Sequence, residues 1–217
     1  MPVLIDELST TADREERSRI YGVAIATVLN NIDTSGRGRV QLSLPWLPDF
    51  EPWARVAVLS AGNNRGTYFL PQIGDEVLVA FDQGDVREPY VIGSLWNAQD
   101  APPASGPTDP TAKRIIKTPL GHVMEFDDML QSFKLTTSTQ QTLTMDTTGI
   151  KIATAGETAS IQMDLAGNVT IQGTISVTLK APSISLEGTA VSIKADADAS
   201  LQSGGTCRIQ GSLVTIN

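Results

Sequence analysis

Residues 161–193 read IQMDLAGNVTIQGTISVTLKAPSISLEGTAVSI, and the reading of the fold turns on them. Ile161, Met163 and Leu165 stand two apart, followed by Val169 and Ile171, then Ile175, Val177 and Leu179. The parity slips after Pro182 to Ile184 and Leu186 and returns with Val191 and Ile193. Thr, Ser, Gln, Lys and Asp fill the positions between. A hydrophobic period of two predicts β-strands with one apolar and one wet face, with no helical stretch among them.

Working outward, Ala197, Ala199 and Leu201 continue the alternation, and Ile209, Leu213 and Ile216 close the chain. No long helix or second apolar layer accompanies these strands. Roughly 20 aliphatic side chains must therefore be buried against something else, each at about 1.5–3 kcal/mol of gross transfer energy. One chain coiled into a β-solenoid is one solution; several identical chains wound around a shared axis is the other. A single-chain solenoid shows a repeat of about 20–30 residues with recurrent corner glycines. The irregular spacing here favours the wound trimer, in which each layer is built from three copies of one strand.

Upstream, Asn97–Pro107 is an Ala/Pro/Gly-rich linker, and the composition changes across it. Nine of the eleven aromatic residues lie before residue 115; only Phe126 and Phe133 follow. The expected organisation is an arm at 1–19, a first domain at 20–97, a linker at 98–114 and the β-rich segment at 115–217. Short β-runs are expected at Tyr21–Leu29, Arg39–Leu44, Trp53–Ser60, Thr67–Leu70, Glu76–Phe81 and Tyr90–Leu95. They are separated by Gly, Pro, Asn and Asp clusters. Five or six short strands in so few residues fit a small closed barrel of the OB type, which leaves no exposed edge. Thr10, Thr11 and Asp13 can cap a short helix within residues 4–19, either a frayed terminus or a docking arm for a neighbouring subunit.

The net charge of −8 is shared by both halves, with ten Lys/Arg against fifteen Asp/Glu through residue 114 and six against nine beyond. No basic stripe is available to neutralise phosphates or an anionic membrane, so nucleic acid is excluded as the expected partner. Trp46, Trp53 and Trp96 sit beside prolines and acids, and are expected in the core or at a subunit contact rather than as base-stacking platforms. One cysteine, Cys207, allows no intrachain disulfide. The N-terminus lacks a basic region followed by an apolar one, so no signal peptide is expected and synthesis is placed in the cytoplasm.

Catalytic chemistry finds no support. His122, the one histidine, reads as structural beside Gly121. Asp127–Asp128 reads as the turn closing the first hairpin of the β-rich segment, not as an acid–base pair. Gly62–Gly66 lacks the Gly-Lys-Ser/Thr ending of a phosphate loop. Neither a metal nor a cofactor is expected.

Both halves resemble a known family. Gly22–Val28 and Gly38–Leu42 resemble the opening strands of the phage baseplate assembly protein V family. The likeness tightens at PQIGDEVLVAF (residues 71–81) and continues through Gly84, Asp85, Pro89 and Gly93 to Trp96. Gly74, Asp75, Gly84, Asp85, Pro89 and Gly93 are the motif residues. In that family, and in the valine-glycine repeat proteins of type VI secretion, this segment is an OB-fold collar. Residues 117–128, KTPLGHVMEFDD, are similar to the start of those proteins' triple-stranded β-helix, with Gly121, His122, Glu125, Asp127 and Asp128 carrying the likeness.

The resemblance implies a homotrimeric central spike of a contractile tail or injection machine, a virion or particle baseplate component in transient contact with a target membrane. About 20 residues precede the collar, which implies a separate hub protein as partner. The short linker leaves no room for an inserted lysozyme domain. The chain ends without a His-x-His pair, which implies no iron apex. Leu213, Val214, Thr215, Ile216 and Asn217 are then expected to form a platform for a PAAR-type tip protein. A trimeric tail-fibre or adhesin-like receptor-binding protein is the alternative; it calls for an aromatic groove, yet residues 134–217 hold no aromatic side chain.

Overall fold

The structure, a computed structural model, describes residues 19–215. Of the expected N-terminal arm, residues 1–18 lie outside the described residues, as do Ile216 and Asn217. Two β-structures follow one another along the chain. The first is a closed barrel of β1 (Val23–Asn30), β2 (Val40–Ser43), β3 (Trp53–Val56), β6 (Glu76–Asp82) and β7 (Asp85–Leu95), in the order β1-β2-β3-β7-β6. All pairings are antiparallel except β3 with β7. Closure satisfies every strand edge and explains why strands of only four residues persist.

The barrel interior is filled by alternate positions of these strands: Ala26 and Val28, Val40 and Leu42, Ala54, Val77, Val79 and Phe81, and Val91. Leu44, just past β2, completes the cluster. The alternation of buried and partly exposed residues along β6 is the period-two pattern of the sequence made physical.

The barrel departs from three expectations. Thr67–Leu70 forms no strand; the chain instead makes a two-residue-per-arm hairpin, β4 (Ala61–Gly62) with β5 (Arg65–Gly66). Thr67 N–H still reaches the Ser60 carbonyl at 3.0 Å, but Pro71 then ends any ladder. The strand expected through Ser60 stops at Val56. The last barrel strand starts five residues earlier than expected, because Gln83 and Gly84, at φ 47° and 82°, form a two-residue turn rather than a break. Positive φ at both central positions matches the twist of the flanking strands.

The second structure begins after α1 (Asp109–Ala112), a single turn inside the stretch read as linker. Seven strands then run as an antiparallel meander, each beside the next: β8 (Lys113–Lys117), β9 (Val123–Asp127), β10 (Ser132–Thr136), β11 (Thr142–Asp146), β12 (Gly149–Ala153), β13 (Ala159–Asp164) and β14 (Val169–Gly173). Beyond Gly173 no strand is formed among the described residues, although the apolar alternation continues.

Candidate functional site

The meander is built on tight turns held by side-chain acceptors. The Asp146 carboxylate accepts from Thr148 N–H at 2.7 Å and from its hydroxyl at 2.6 Å. Asp164 accepts from Asn168 N–H at 2.9 Å and from its amide at 2.8 Å. The Thr148 hydroxyl and the Asn168 side chain lower the respective carboxyls from their ordinary range. Gly149, at φ 143°, lies so close to β13 that a Cβ there would stand 2.0 Å from the Met163 carbonyl oxygen.

Register then aligns the side chains into rows. Ile116, Met124, Leu135, Leu143, Ile152, Ile161 and Ile171 are successive cross-strand partners across all seven strands. Two residues along, Arg114, Phe126, Phe133, Met145, Ile150, Met163 and Val169 form a second row on the same face. Phe126 and Phe133 stack at 4.8 Å within it. The residues between point to the opposite face: Glu125, Lys134, Thr144, Lys151, Gln162 and Thr170 are partners there. The Lys151–Glu157 pair at 2.6 Å and Lys113 beside Glu125 at 3.8 Å also belong to this wet side.

Nothing in the described chain covers the apolar face. Ile152 is 44% exposed, Ile161 40% and Ile171 55%. An open groove of about 600 Å³ lies on the face, lined by Leu135, Leu143, Ile152, Ile161 and Ile171, with Val177 beside them. Apolar side chains left exposed side by side in two rows mark an assembly surface.

Of the five residues expected to open a β-helix, Gly121, His122, Asp127 and Asp128 lie at the corners of this sheet. Gly121 and His122 close the β8–β9 turn: Thr118 N–H donates to the His122 carbonyl at 2.9 Å, and His122 N–H to the Thr118 hydroxyl at 3.0 Å. His122 Nδ1 accepts from Ser138 N–H at 3.3 Å, tying this turn to the one after β10. Asp127 is buried and accepts from Leu130 N–H at 2.9 Å, while Asp128 N–H donates to the Ala112 carbonyl at 2.8 Å. These two aspartates close the β9–β10 hairpin, the second of the sheet and not the first as expected. Glu125 stands mid-strand on the wet face.

The residues expected as the motif of the first domain hold the barrel together. Gly74 N–H donates to the Val28 carbonyl, the Asp75 carbonyl accepts from Val28 N–H, and Asp75 Oδ2 accepts from Gln72 N–H at 2.7 Å. Gly84 faces the incoming chain: a Cβ there would lie 2.9 Å from Arg19 Cβ. The Arg87 guanidinium, 2.6 Å from Asp85, lowers that carboxyl to about 2. Pro89 is buried opposite Phe81, and Gly93 faces Leu78 at a bulge. Arg39, followed by Ser35, likewise holds the Asp33 carboxyl far below its usual range.

Trp46 packs edge-on against Phe81 at 6.2 Å, and Arg39 lies over Trp53 at 5.5 Å. Trp96 is 70% exposed. Gly62–Gly66 is the β4–β5 hairpin tip. Cys207 is exposed, as are Leu213, Val214 and Thr215. Among the described residues no group of three or more His, Cys, Asp or Glu could hold a metal, and no helix is long and apolar enough to cross a membrane.

Residues 115–217 are expected as one β-rich segment, but the apolar positions named for it start at Ile161, and the rows over residues 116–152 precede them. Their signal is present in Met124-Glu125-Phe126, Phe133-Lys134-Leu135, Leu143-Thr144-Met145 and Ile150-Lys151-Ile152.

A closed five-stranded OB-like barrel followed by an amphipathic β-meander is the class these features define. Residues 24–96 match the type VI secretion system/phage-baseplate injector OB domain family. The chain is similar to VgrG-like baseplate spike proteins. It is 37% identical over 101 residues to the type VI secretion system spike protein VgrG2a of Pseudomonas aeruginosa, covering 42% of this chain and 12% of that protein. It is 30% identical over 112 residues to the spike protein VgrG3 of Vibrio cholerae, covering 47% and 11%. The actin cross-linking toxin VgrG1 of Vibrio cholerae is 31% identical over 117 residues, covering 49% and 11%. The match thus spans about a tenth of the length of these relatives.

Proposed function

We propose that this chain is the central spike of a contractile tail or injection-system baseplate, built from three copies. The observation that carries the reading is the seven-strand apolar face joined to an injector-type barrel. Three such sheets, apolar faces inward, make a triangular prism with the Lys134, Thr144 and Gln162 side outward. At about 4.8 Å per strand, the seven strands supply a shaft on the order of 29 Å long. The Thr/Ser-rich segment beyond Gly173, whose aliphatic residues have no cover within one chain, extends it as a triple-stranded β-helix.

In this reading the three barrels seat on a hub protein and the C-terminal end, Leu213 to Asn217, carries a PAAR-type tip protein. Sheath contraction drives the shaft through the target envelope. Interleaved hydrogen bonds and a shared core must break together before the shaft yields, so resistance is kinetic as much as thermodynamic. Its role is mechanical, with no reaction catalysed by this chain.

The test is cryo-electron microscopy of particles assembled with and without the chain. Threefold density continuous with the baseplate axis, lost along with envelope penetration when the chain is deleted, is the expected result. Particles that retain their axial density and still penetrate without it would refute the proposal. Density at the particle periphery would instead assign the chain to a fibre.

A further inference from the structure

The chain divides sharply at Gly173. Every strand from Lys113 to Gly173 has its hydrogen-bonded neighbours inside the same chain. Among the described residues beyond it, the last backbone hydrogen bond is Thr174 N–H to the Thr158 carbonyl. Ile175, Leu179, Ile193 and Leu213 are 97%, 65%, 82% and 83% exposed. Ordering each residue costs about 1–2 kcal/mol of conformational free energy. Within one chain, residues 175–215 have no ladder and are exposed throughout, with too little burial to offset it.

We infer that the apolar face of residues 113–173 is the surface on which copies of this chain first associate, and that residues 175–215 order only on the resulting trimer. The inference rests on the three-copy reading and adds to it the order of events and the residues responsible for each. The meander consists of local hairpins, which form in about 1–10 μs. It is therefore in place before chains meet, and its rigid face associates with little further loss of entropy. Association then brings three tails to one end of the sheet, at an effective concentration in the millimolar range.

The order also sets register. Period-two strands rich in Thr, Ser and Gly specify their pairing weakly and slip easily. Starting all three tails from one fixed residue removes that freedom. The structure marks the starting point: the chain turns so tightly at Gly173 that a Cβ there would lie 2.7 Å from the Ser176 carbonyl oxygen, and Val177 lines the groove with Ile161 and Ile171.

The full-length chain, a tail variant carrying Ile184→Asp and Ile193→Asp, and a face variant carrying Leu143→Asp are compared by light scattering and amide hydrogen exchange. The tail variant replaces side chains exposed in the single chain, so it leaves the meander intact. It is expected to remain trimeric, with strands β8–β14 protected and tail amides exchanging on the order of 10³-fold faster than in the wild type. The face variant is expected to be monomeric with its tail exchanging at free-chain rates. A monomeric tail variant beside a trimeric wild type would overturn the inference and make the tail the driver of association. A protected tail in the monomeric face variant would overturn it as well. A monomeric wild type would instead sink the three-copy reading itself.

Discussion

Ile161 and Gln162 are neighbours in β13 that face opposite sides of the sheet, and replacing each by Asp separates the roles of the two faces. Ile161 lies between Ile152 and Ile171 in the apolar row and is 40% exposed. Full burial of such a side chain contributes about 1.5–3 kcal/mol. The exposed two-fifths therefore offers about 1 kcal/mol per chain on assembly, or about 3 kcal/mol per trimer. Ile161→Asp forfeits this and sets three carboxylates around one axis, each costing several kcal/mol to desolvate. The combined loss, upward of about 6 kcal/mol, lowers the trimer association constant by at least about 10⁴-fold. Gln162→Asp places a carboxylate opposite Lys151 on the wet face and is expected to leave association unchanged. Sedimentation velocity over a hundredfold concentration range reads both. Equal behaviour of the two variants, whether both trimeric or both dissociated, would refute the assignment of faces.

Gly149→Ala forces a Cβ into the Met163 carbonyl at a φ that L residues rarely adopt; a loss of about 1–3 kcal/mol or more, read as a lower urea midpoint, is expected. Leu42→Ala opens a cavity in the fully buried barrel core and should cost about 2–5 kcal/mol, measured by the barrel's own thermal transition. The folded-state pKa of Asp85 lies below its unfolded value. Its stabilising contribution is thus complete above pH 4 and lost as pH falls through about 2. Asp85→Asn should flatten the urea midpoint between pH 4 and 2 relative to the wild type; an unchanged slope would remove Asp85 from the acid response.

Much of the barrel was legible from residues alone, because alternation such as Val77, Val79 and Phe81 between strong breakers has one physical meaning. What failed was turn chemistry: Gln83-Gly84 continues a hairpin, whereas Gly66 and Pro71 deny Thr67–Leu70 a partner. In the meander, each strand shows only two or three apolar positions before its turn. Their alignment into rows depends on cross-strand register, which arises from turn lengths and not from any single strand. The motif of the first domain was visible as a likeness, but its reason lies in backbone contacts: Gly74 against Val28, and Gly84 against Ile20. The tail shows the converse case, since its period of two is plain in sequence while its described residues beyond Gly173 form no strand within the chain.

Three chains sharing one apolar core fix the molar mass of the full-length protein in solution. Light scattering after size exclusion should give about 69 kDa, three times the chain's 23.1 kDa, across all concentrations down to the micromolar range. A mass of one chain at every concentration would contradict it and leave the apolar face of the meander without its partner.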